Sequence, residues 1–412
     1  MHKLTATFRI VTPMFIAGAD QSKAELRAPS IKGALRFWWR ALNWARICRT
    51  CDSDQSALAK LKEREDSLFG DADKHGQSTI LLSISSRKPL RAQYPPSLHT
   101  DMKPRNNPNS MAGARYLGYG LITPFSSKNS GKDAGQLERA CINPDQTFSI
   151  LLSTRQCLDD SILDGLKILG LLGGIGSRSR RGFGSLLLET IGEEDKEGKI
   201  KTIWKTPSTP ETYIAEIKNL MKKYDCASLA DTPPFSAFYS GSRVETLLKG
   251  TSPYTVLNQL GLAMLDYRSW GQSSRGNELP SGKTSEKRFK NDHDWYKSSY
   301  RKSDFPDFHP RRIVFGLPHN YHKLEKHHVT PEKHERRGSP LFFHIHQLGN
   351  TYIGVAIFLK STFLPDDEKI DAGGTFVTQD IDWNVITDFL DGKTDNSPTK
   401  NDRFPHREVI FP

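Results

Sequence analysis

The stretch at 147–188, TFSILLSTRQCLDDSILDGLKILGLLGGIGSRSRRGFGSLLL, decides the fold of this chain. Apolar and polar residues alternate over 147–153, as they do in a strand with one buried face. Apolar residues then recur with the helical period inside 158–172, and a glycine-rich turn leads to an apolar strand at 183–188. The stretch therefore predicts a strand, a helix and a second strand in succession.

The same kinds of element precede this stretch. Residues 4–11 alternate as a strand, and Ser30 is the predicted N-cap of a helix over 31–46, whose apolar positions recur every three to four residues. Residues 78–83 fit another strand. The predicted order β-α-β-β-α-β is the ferredoxin-like pattern, which RNA-recognition modules share.

A weaker copy of this order is predicted in the second half of the chain. Its elements are strands at 235–239, 312–315, 341–347, 352–359 and 407–411 and helices at 255–267 and 382–390. We therefore predict an α+β fold of two tandem ferredoxin-like (RRM-like) domains, at 1–191 and 234–412, joined by a linker region at 192–233. Loop insertions are expected at 111–137 and, as a polar insertion, at 270–305.

Composition limits the class of partner. The 412 residues include 58 lysines and arginines against 47 aspartates and glutamates, which gives a net charge of +11. Such a charge favours a polyanion, either nucleic acid or an acidic membrane surface. No apolar run approaches the ~20 residues that span a bilayer, and five cysteines are too few for a disulfide framework. We therefore expect a cytoplasmic protein.

Residues 174–184, GIGSRSRRGFG, form the strongest local motif. Glycines let the backbone come close to a ligand, and arginines donate forked hydrogen bonds to phosphates. The motif follows a helix and lacks Gly-Lys-Ser/Thr, so it is neither a dinucleotide-binding turn nor a P-loop. We predict that it cradles an RNA backbone; the alternative is a helix C-cap with a solvated basic turn. The predicted RNA-binding residues here are Gly174, Gly176, Arg178, Arg180, Arg181, Gly182, Phe183 and Gly184.

The predicted helix at 31–46 carries a second cationic feature. Its core face includes Trp38, whereas a neighbouring arc of the helix is basic. The residues of that arc that we predict to bind RNA are Lys32, Arg36, Trp39 and Arg40. Trp39 and Phe183 are the candidates for stacking on a base. The alternative for this arc is a solvated polar face.

No catalytic or metal site is predicted. Histidines concentrate near one basic segment, at His319, His322, His327, His328 and His334, and Cys48 and Cys51 form an isolated C-x-x-C pair. A metal site would need acidic or cysteine partners in a fixed geometry, whereas the glycine, proline and lysine content around the histidines indicates a loop. The cysteine pair has no second C-x-x-C. A nucleophile elbow, paired catalytic carboxylates and an H-E-x-x-H pattern are absent from the sequence, and we expect no cofactor.

Several motifs of the first half together point to a family. They are TPMF at 12–15 with GAD at 18–20, PSIKGALRFWWR at 29–40, FG at 69–70 and the glycine-rich loop. These motifs resemble the RAMP superfamily of CRISPR proteins. Within it, FWWR and TPMF point to the first RAMP subunit of type III-B Cmr effector complexes, and FGLP at 315–318 and GSPL at 338–341 add support.

The resemblance implies a tandem pair of ferredoxin-like domains that binds single-stranded RNA where the complex holds the 3′ part of the guide. It also implies contacts with other RAMP subunits and help in engaging target RNA. In that family this subunit is not the nuclease that cleaves the target, and Asp20 is not assigned that role.

We therefore predict a non-catalytic RNA-binding subunit with guide RNA, target RNA and other RAMP subunits as partners, and with no membrane. The alternative is a metal-independent, guide-processing endoribonuclease, which would need a histidine near the glycine-rich loop as general acid or base. No histidine lies between residues 101 and 204. A nucleotide-dependent enzyme is a third possibility, although the loop lacks neighbouring metal-binding residues.

Overall fold

The computed structural model describes residues 2–72, 76–86, 92–93, 112–123, 137–155, 158–271, 278–279, 284–300, 307–320, 328–393 and 403–412. It combines helices with antiparallel sheets, which confirms the α+β class. The strands are β1 (His2–Ile10), β2 (Leu81–Ser85), β3 (Ala92–Gln93), β4 (Cys141–Ile142), β5 (Thr147–Thr154), β6 (Leu186–Glu194), β7 (Ile200–Lys205), β8 (Arg243–Gly250), β9 (Val329–Pro331), β10 (Leu341–Leu348), β11 (Thr351–Phe358), β12 (Ile370–Ala372), β13 (Phe376–Val377) and β14 (Glu408–Phe411). The helices are α1 (Ala28–Cys48), α2 (Asp54–Phe69), α3 (Ala112–Leu117), α4 (Asp160–Leu172), α5 (Pro210–Lys223), α6 (Pro253–Arg268), α7 (Lys290–Tyr300) and α8 (Asn384–Asp391).

The first large sheet has the strand order β2-β5-β1-β6-β7, and all neighbouring strands are antiparallel. Successive side chains of a strand point to opposite faces, so alternate residues of β1 and β5 are buried together. These buried residues are Leu4, Ala6, Phe8, Ile10, Phe148, Ile150 and Leu152. They share one apolar core with helices α1 and α4.

The second large sheet has the strand order β10-β11-β8-β14 and is also antiparallel. Four strands of each sheet, counted along the chain, lie in the order second, third, first, fourth. A helix follows the first strand and another follows the third, namely α1 and α4 in one case and α6 and α8 in the other. The two halves of the chain thus repeat one arrangement of elements.

Smaller elements surround the two sheets. Strands β13, β12 and β9 form a three-stranded sheet, and β3 pairs with β4. Helix α2 packs against α1, and helix α3 packs against α6. In the second contact the backbones touch, since a Cβ added at Gly113 would lie 2.0 Å from the carbonyl oxygen of Asn258.

Two of the predicted strands are wrong. Residues 235–239 form no strand; the N–H of Phe238 instead donates to the carbonyl of Ala41 in α1 over 2.9 Å. Residues Arg311–Phe315 form a short 3₁₀ helix. Both apolar segments are buried, but they do not join a sheet, and the first strand of the second sheet is β8.

Four helices were missed in the sequence, and two of them, α3 and α7, lie in the segments that were predicted as insertions at 111–137 and 270–305. Helix α2 begins at a capping box between Ser53 and Ser56, and α5 begins at one between Thr209 and Thr212. Helix α5 lies within 192–233, which was predicted as a linker region, and the division into two domains stays a prediction.

Helix α1 also starts earlier than predicted. Its N-cap is Arg27, without a side-chain cap, and Pro29 lies in the first turn, so Ser30 is not the cap.

The glycine-rich loop lies against strand β10 and joins the two halves. The N–H of Phe343 donates to the carbonyl of Arg180 over 3.1 Å, and the N–H of Ile345 donates to the Ser185 hydroxyl over 3.1 Å. No helix in the described ranges is both long and apolar enough to cross a membrane.

Candidate nucleic-acid interface

The glycines of the loop at 174–184 serve close packing inside the protein. Gly176, Gly182 and Gly184 have positive φ angles of 97°, 84° and 61°. A Cβ added at Gly184 would lie 2.0 Å from the carbonyl oxygen of Ile175, and one at Gly176 would lie 2.5 Å from that of Phe15. Only glycine fits at Gly176 and Gly184, because neighbouring backbone already occupies the space.

Hydrogen bonds from the start of the chain hold this loop in place. The Thr12 hydroxyl donates to the carbonyl of Gly182 over 2.7 Å and accepts from the N–H of Ser185 over 2.9 Å. The Ser185 hydroxyl donates to the same carbonyl over 3.0 Å. The arginines between the glycines are therefore carried by a fixed backbone.

Two arginines of the loop make contacts with neutral groups of the second half. Arg180 donates to the carbonyl of Ser339 over 2.7 Å, and its guanidinium lies 4.6 Å from the centre of the Phe342 ring. Arg181 lies near the carbonyl of Phe315 at 3.5 Å. Burial lowers the pKa of both side chains, that of Arg181 to about 10.

Arg178, the third arginine of the loop, is exposed and has a positive φ of 61°. Its guanidinium donates to the carbonyl of Tyr119. Partial burial lowers the pKa of Arg178, and the positive charge of Arg336 lowers it further. Arg178 and Arg336 are therefore neighbours, although one belongs to each half of the chain.

Arg337 brings a further cation from the second half. It donates to the carbonyl of Phe363 over 2.6 Å and to the Ser361 hydroxyl over 2.8 Å. Burial, and after it the charge of Arg180, lower its pKa to about 10. Two guanidinium groups are thus held near each other, and their hydrogen bonds within the described residues go to neutral oxygens.

The predicted cations of α1 have a different environment. Arg36 and Arg40 both donate to the Glu65 carboxylate in α2, with 2.6 Å for Arg40. The side chain of Glu65 is only 5% exposed, so the carboxylate is a buried partner of both arginines. Lys32 lines a separate depression of about 650 Å³ beside Gly70. The cations that the helical period predicted on one arc therefore lie in two places. Arg36 and Arg40 lie beside Glu65, and Lys32 lies in the separate depression.

A cleft of about 950 Å³ brings cations of α1, α2, the glycine-rich loop and the second half of the chain together. Helices α1 and α2 form one side, and segments of the second half form the other. The six cations that line it are Arg36, Arg40, Lys62, Arg180, Arg336 and Arg337, and its carboxylates are Glu65 and Asp66. The cleft has a net of four positive charges before His334 is counted, which suits a bound polyanion.

The two aromatic residues that were predicted to stack on bases are buried. Trp39 and Phe183 are both 0% exposed, and the Trp39 indole N–H donates to the Ser161 hydroxyl over 2.7 Å. Neither ring face is accessible, which corrects the predicted stacking role of both residues. Tyr119, in contrast, is 61% exposed and lies beside Arg178.

The histidines are dispersed. His344 and His346 are buried in β10, and burial lowers the pKa of His344 to about 3. His334 is exposed in the cleft, and its Nδ1 lies 2.5 Å from the carboxylate of Glu368. His322 and His327 lie outside the described residues. Within the described ranges, no three histidine, cysteine, aspartate or glutamate side chains are grouped as metal ligands.

Sequence reasoning missed the contribution of the second half to this surface. Arg336 and Arg337 are consecutive in a basic segment, but their position opposite α1 has no periodic signal. Phe37 was also missed as a lining residue, although it lies within FWWR at 37–40.

Comparison with known proteins agrees with the resemblance read from the motifs. Residues 7–187 match the RAMP superfamily model. The chain is 26% identical over 375 residues to the CRISPR system Cmr subunit Cmr1-1 of Pyrococcus furiosus, which covers 89% of this chain and 87% of the relative. It is 23% identical over 197 residues to Cmr1-2 of the same organism, which covers 47% of this chain and 98% of that relative.

A solved structure is also similar. The apo form of Cmr1 from Pyrococcus furiosus superposes with a TM-score of 0.54 at 18% identity and covers 100% of this chain and 99% of that one. The similarity in fold extends over both halves of the chain.

Proposed function

From the RAMP superfamily region that this chain carries at residues 7–187, we propose that the protein is a non-catalytic subunit of a type III-B CRISPR (Cmr) effector complex. In this proposal it binds single-stranded RNA at the 3′ end of the guide and helps to engage target RNA. Its partners are the guide RNA, the target RNA and other RAMP subunits. The similarity to the Cmr subunit Cmr1-1 over 89% of the chain supports the assignment to such a complex.

The observation that carries the RNA-binding role is the pair Arg180 and Arg337. Both are partly buried, both lie in the cleft, and both are held by carbonyl or hydroxyl groups. The side-chain hydrogen bonds of both, within the described residues, go to carbonyl or hydroxyl oxygens and not to a carboxylate. A half-buried cation without a counter-ion gains most from an anionic ligand, and phosphates accept forked hydrogen bonds from guanidinium groups.

The path of the RNA follows the arginines. Phosphates in the cleft would contact Arg180 and Arg337, and the strand would then pass Arg336 and reach Arg178 on the surface of the glycine-rich loop. Contacts of this kind position an RNA without reading its sequence. We therefore infer weak base preference along this path.

Tyr119 replaces Trp39 and Phe183 as the stacking residue of the proposal. Its ring is exposed, and its backbone carbonyl accepts the hydrogen bond from Arg178. An aromatic ring beside a cation at the surface is a common platform for an unpaired base.

The finer description of the fold belongs to the same proposal. We infer two ferredoxin-like domains, because both large sheets have the same order of strands and helices. In this arrangement the cleft is built where the two domains meet.

Salt titration of RNA binding tests the proposal. We expect the full chain to bind single-stranded RNA with a steep salt dependence. Replacing Arg180 and Arg337 by Ala should lower the affinity and reduce the magnitude of the salt slope by about 0.7 for each lost phosphate contact. The matched control is Lys196→Ala, an exposed lysine in the turn between β6 and β7. Equal slopes for the double variant and the wild type would refute the cleft as the RNA site.

A metal-independent endoribonuclease is the second candidate function. It is favoured by one observation, the contact of His334 with Glu368 at the cleft, since a carboxylate can orient a catalytic imidazole. The test is incubation of guide-repeat RNA with the full chain in the presence of a chelator. A discrete product that disappears in His334→Ala would replace our proposal with this one.

A further inference from the structure

A smaller cavity lies beside the cleft, between the start of α1 and the glycine-rich loop. Its volume is about 370 Å³. Ile16, Phe37, Leu172 and Phe342 supply much of its apolar wall. Concave sites with mostly apolar walls and a few polar groups are typical of small-ligand sites, and this volume lies near the lower end of their range of ~300–1,000 Å³.

The polar side chains of this cavity are few, and each of them can donate a hydrogen bond. They include the hydroxyls of Ser30 and Ser179 and the guanidinium of Arg180. One nitrogen of Arg180 is used by the carbonyl of Ser339, and the guanidinium has further N–H groups to donate. No acidic side chain is among the described residues that line the cavity, so a cation is a poor occupant. A flat, neutral group with acceptor atoms on its edge fits this chemistry.

The cavity and the cleft are connected through shared residues. Phe37 and Arg180 line both of them. The Arg180 guanidinium lies 5.6 Å from the centre of the Phe37 ring and so marks the boundary between the charged space and the apolar one. A polyanion in the cleft can therefore place a side group in the cavity without leaving the arginines.

We propose that this cavity binds one unstacked base of the RNA strand that occupies the cleft. The base lies against the Phe37 ring, and its polar edge accepts hydrogen bonds from Ser30, Ser179 or Arg180. The inference rests on the proposed function, because it takes the RNA in the cleft as given. It adds a base-binding site to a surface that otherwise contacts phosphates.

Filling the cavity tests this directly. Ala34 lines the cavity but not the cleft, so Ala34→Phe blocks the space and leaves every cation in place. The probes are a short single-stranded RNA of mixed sequence and an oligomer of the same length in which every base is replaced by an abasic ribose. We expect the wild type to bind the RNA about a hundredfold more tightly than the abasic oligomer, because the base in the cavity and the base on Tyr119 each contribute about tenfold, which is within the range for stacking one base.

In Ala34→Phe the preference for RNA over the abasic oligomer should fall to a small fraction of the wild-type value, while the salt slope stays the same. Gly33→Ala is the control, because this neighbouring residue is exposed and an added Cβ meets no atom within 4 Å. If Ala34→Phe does not fold, the double variant Ser30→Ala, Ser179→Ala serves as the test. Its affinity for the RNA should fall about threefold, as expected for lost hydrogen bonds, while its affinity for the abasic oligomer stays the same.

The outcomes separate the two proposals. Salt-dependent RNA binding with no preference over the abasic oligomer would overturn the base site and leave the cleft assignment standing. An unchanged preference in Ala34→Phe would also overturn the base site. Failure of the wild type to bind RNA at all would remove the proposed function and this inference with it.

Discussion

The guanidinium of Arg180 lies 4.6 Å from the centre of the Phe342 ring, and these two residues come from opposite halves of the chain. The next residue of β10, Phe343, donates its N–H to the carbonyl of Arg180 over 3.1 Å. The position of the central arginine of the cleft therefore depends on the contact between the glycine-rich loop and the second sheet. Changes at this contact will alter both stability and RNA binding, so the variants below are chosen to separate the two effects.

Glu65→Gln should have opposite effects on RNA affinity and stability. Arg36 and Arg40 share this buried carboxylate, and its loss raises the net charge of the cleft by one. We expect tighter RNA binding with a steeper salt slope, together with a loss of about 1–3 kcal/mol in the free energy of unfolding. Filter binding and denaturant titration measure the two quantities. The control is Glu63→Gln, exposed on the same helix; weaker binding by Glu65→Gln would contradict the prediction.

Gly184→Ala should destabilise the protein strongly. Its φ is 61°, and an added Cβ would lie 2.0 Å from the carbonyl oxygen of Ile175. Gly198→Ala is the matched control, with a φ of 80° and no atom within 4 Å of the added Cβ. We expect a cost of about 1 kcal/mol for the control, from backbone strain alone, and about 3 kcal/mol for Gly184→Ala, from strain plus displacement of backbone. If denaturant titrations gave the same loss in the free energy of unfolding for both variants, the glycine-rich loop would be able to make room for the added Cβ.

The buried His344 should make stability depend on pH. Its pKa is lowered from 6.5 to about 3 by burial, so the unfolded chain takes up a proton below pH 6.5 that the folded chain does not. The free energy of unfolding therefore falls as the pH falls from 6.5 towards 3. One such histidine lowers it by about 2 kcal/mol at pH 5.

Removing the imidazole tests this. Denaturant titrations of His344→Gln at neutral pH and at pH 5 should show a pH-dependent loss about 2 kcal/mol smaller than that of the wild type. His346 contacts His344 at 3.3 Å and is also buried, so part of the wild-type pH dependence should remain in this variant. The exposed His2→Gln serves as the control. An identical pH dependence in His344→Gln and the wild type would rule out this origin.

Tyr119→Ala should weaken RNA binding through loss of stacking. We expect about a tenfold loss in affinity with an unchanged salt slope, since no cation is removed. Tyr119→Phe keeps the ring and should bind as the wild type does, which distinguishes stacking from a role of the hydroxyl. Fluorescence anisotropy with a labelled RNA measures both variants. Full affinity in Tyr119→Ala would leave the exposed ring without a role in RNA binding.

Much of the fold could be predicted where one period dominates the sequence. Strand β5, helix α4 and strands β10 and β11 match the predicted segments closely. Alternation marks β5 and helical spacing marks α4, whereas β10 and β11 are mostly apolar runs of strand length. The segment at 235–239 misled the prediction, since its apolar residues are buried against α1 instead of in a sheet. Helices α2 and α5 had detectable signals in their capping boxes, at Ser53 and Thr209.

The candidate site was predictable only in part. The motifs identified Arg178, Arg180 and Arg36 as cations of the two relevant elements, and their chemistry follows from residue type alone. Which of them has a carboxylate partner could not be read from spacing, because Glu65 lies on a helix that the prediction missed. The same limit applies to Trp39, which is buried and donates its indole N–H to Ser161 in α4.

By itself the sequence determined the net positive charge, the β-α-β-β-α-β order of the first half and the glycine-rich loop, because composition and local periodicity are properties of the chain alone. Tertiary structure decided which cations have a carboxylate partner within the described part of the chain. Arg180 and Arg337 are 157 positions apart in the numbering of the chain, and only packing of the loop against β10 brings them into one cleft. Long-range packing sets burial and partners, and these two properties decide whether a cation stabilises the fold or is available to an anion.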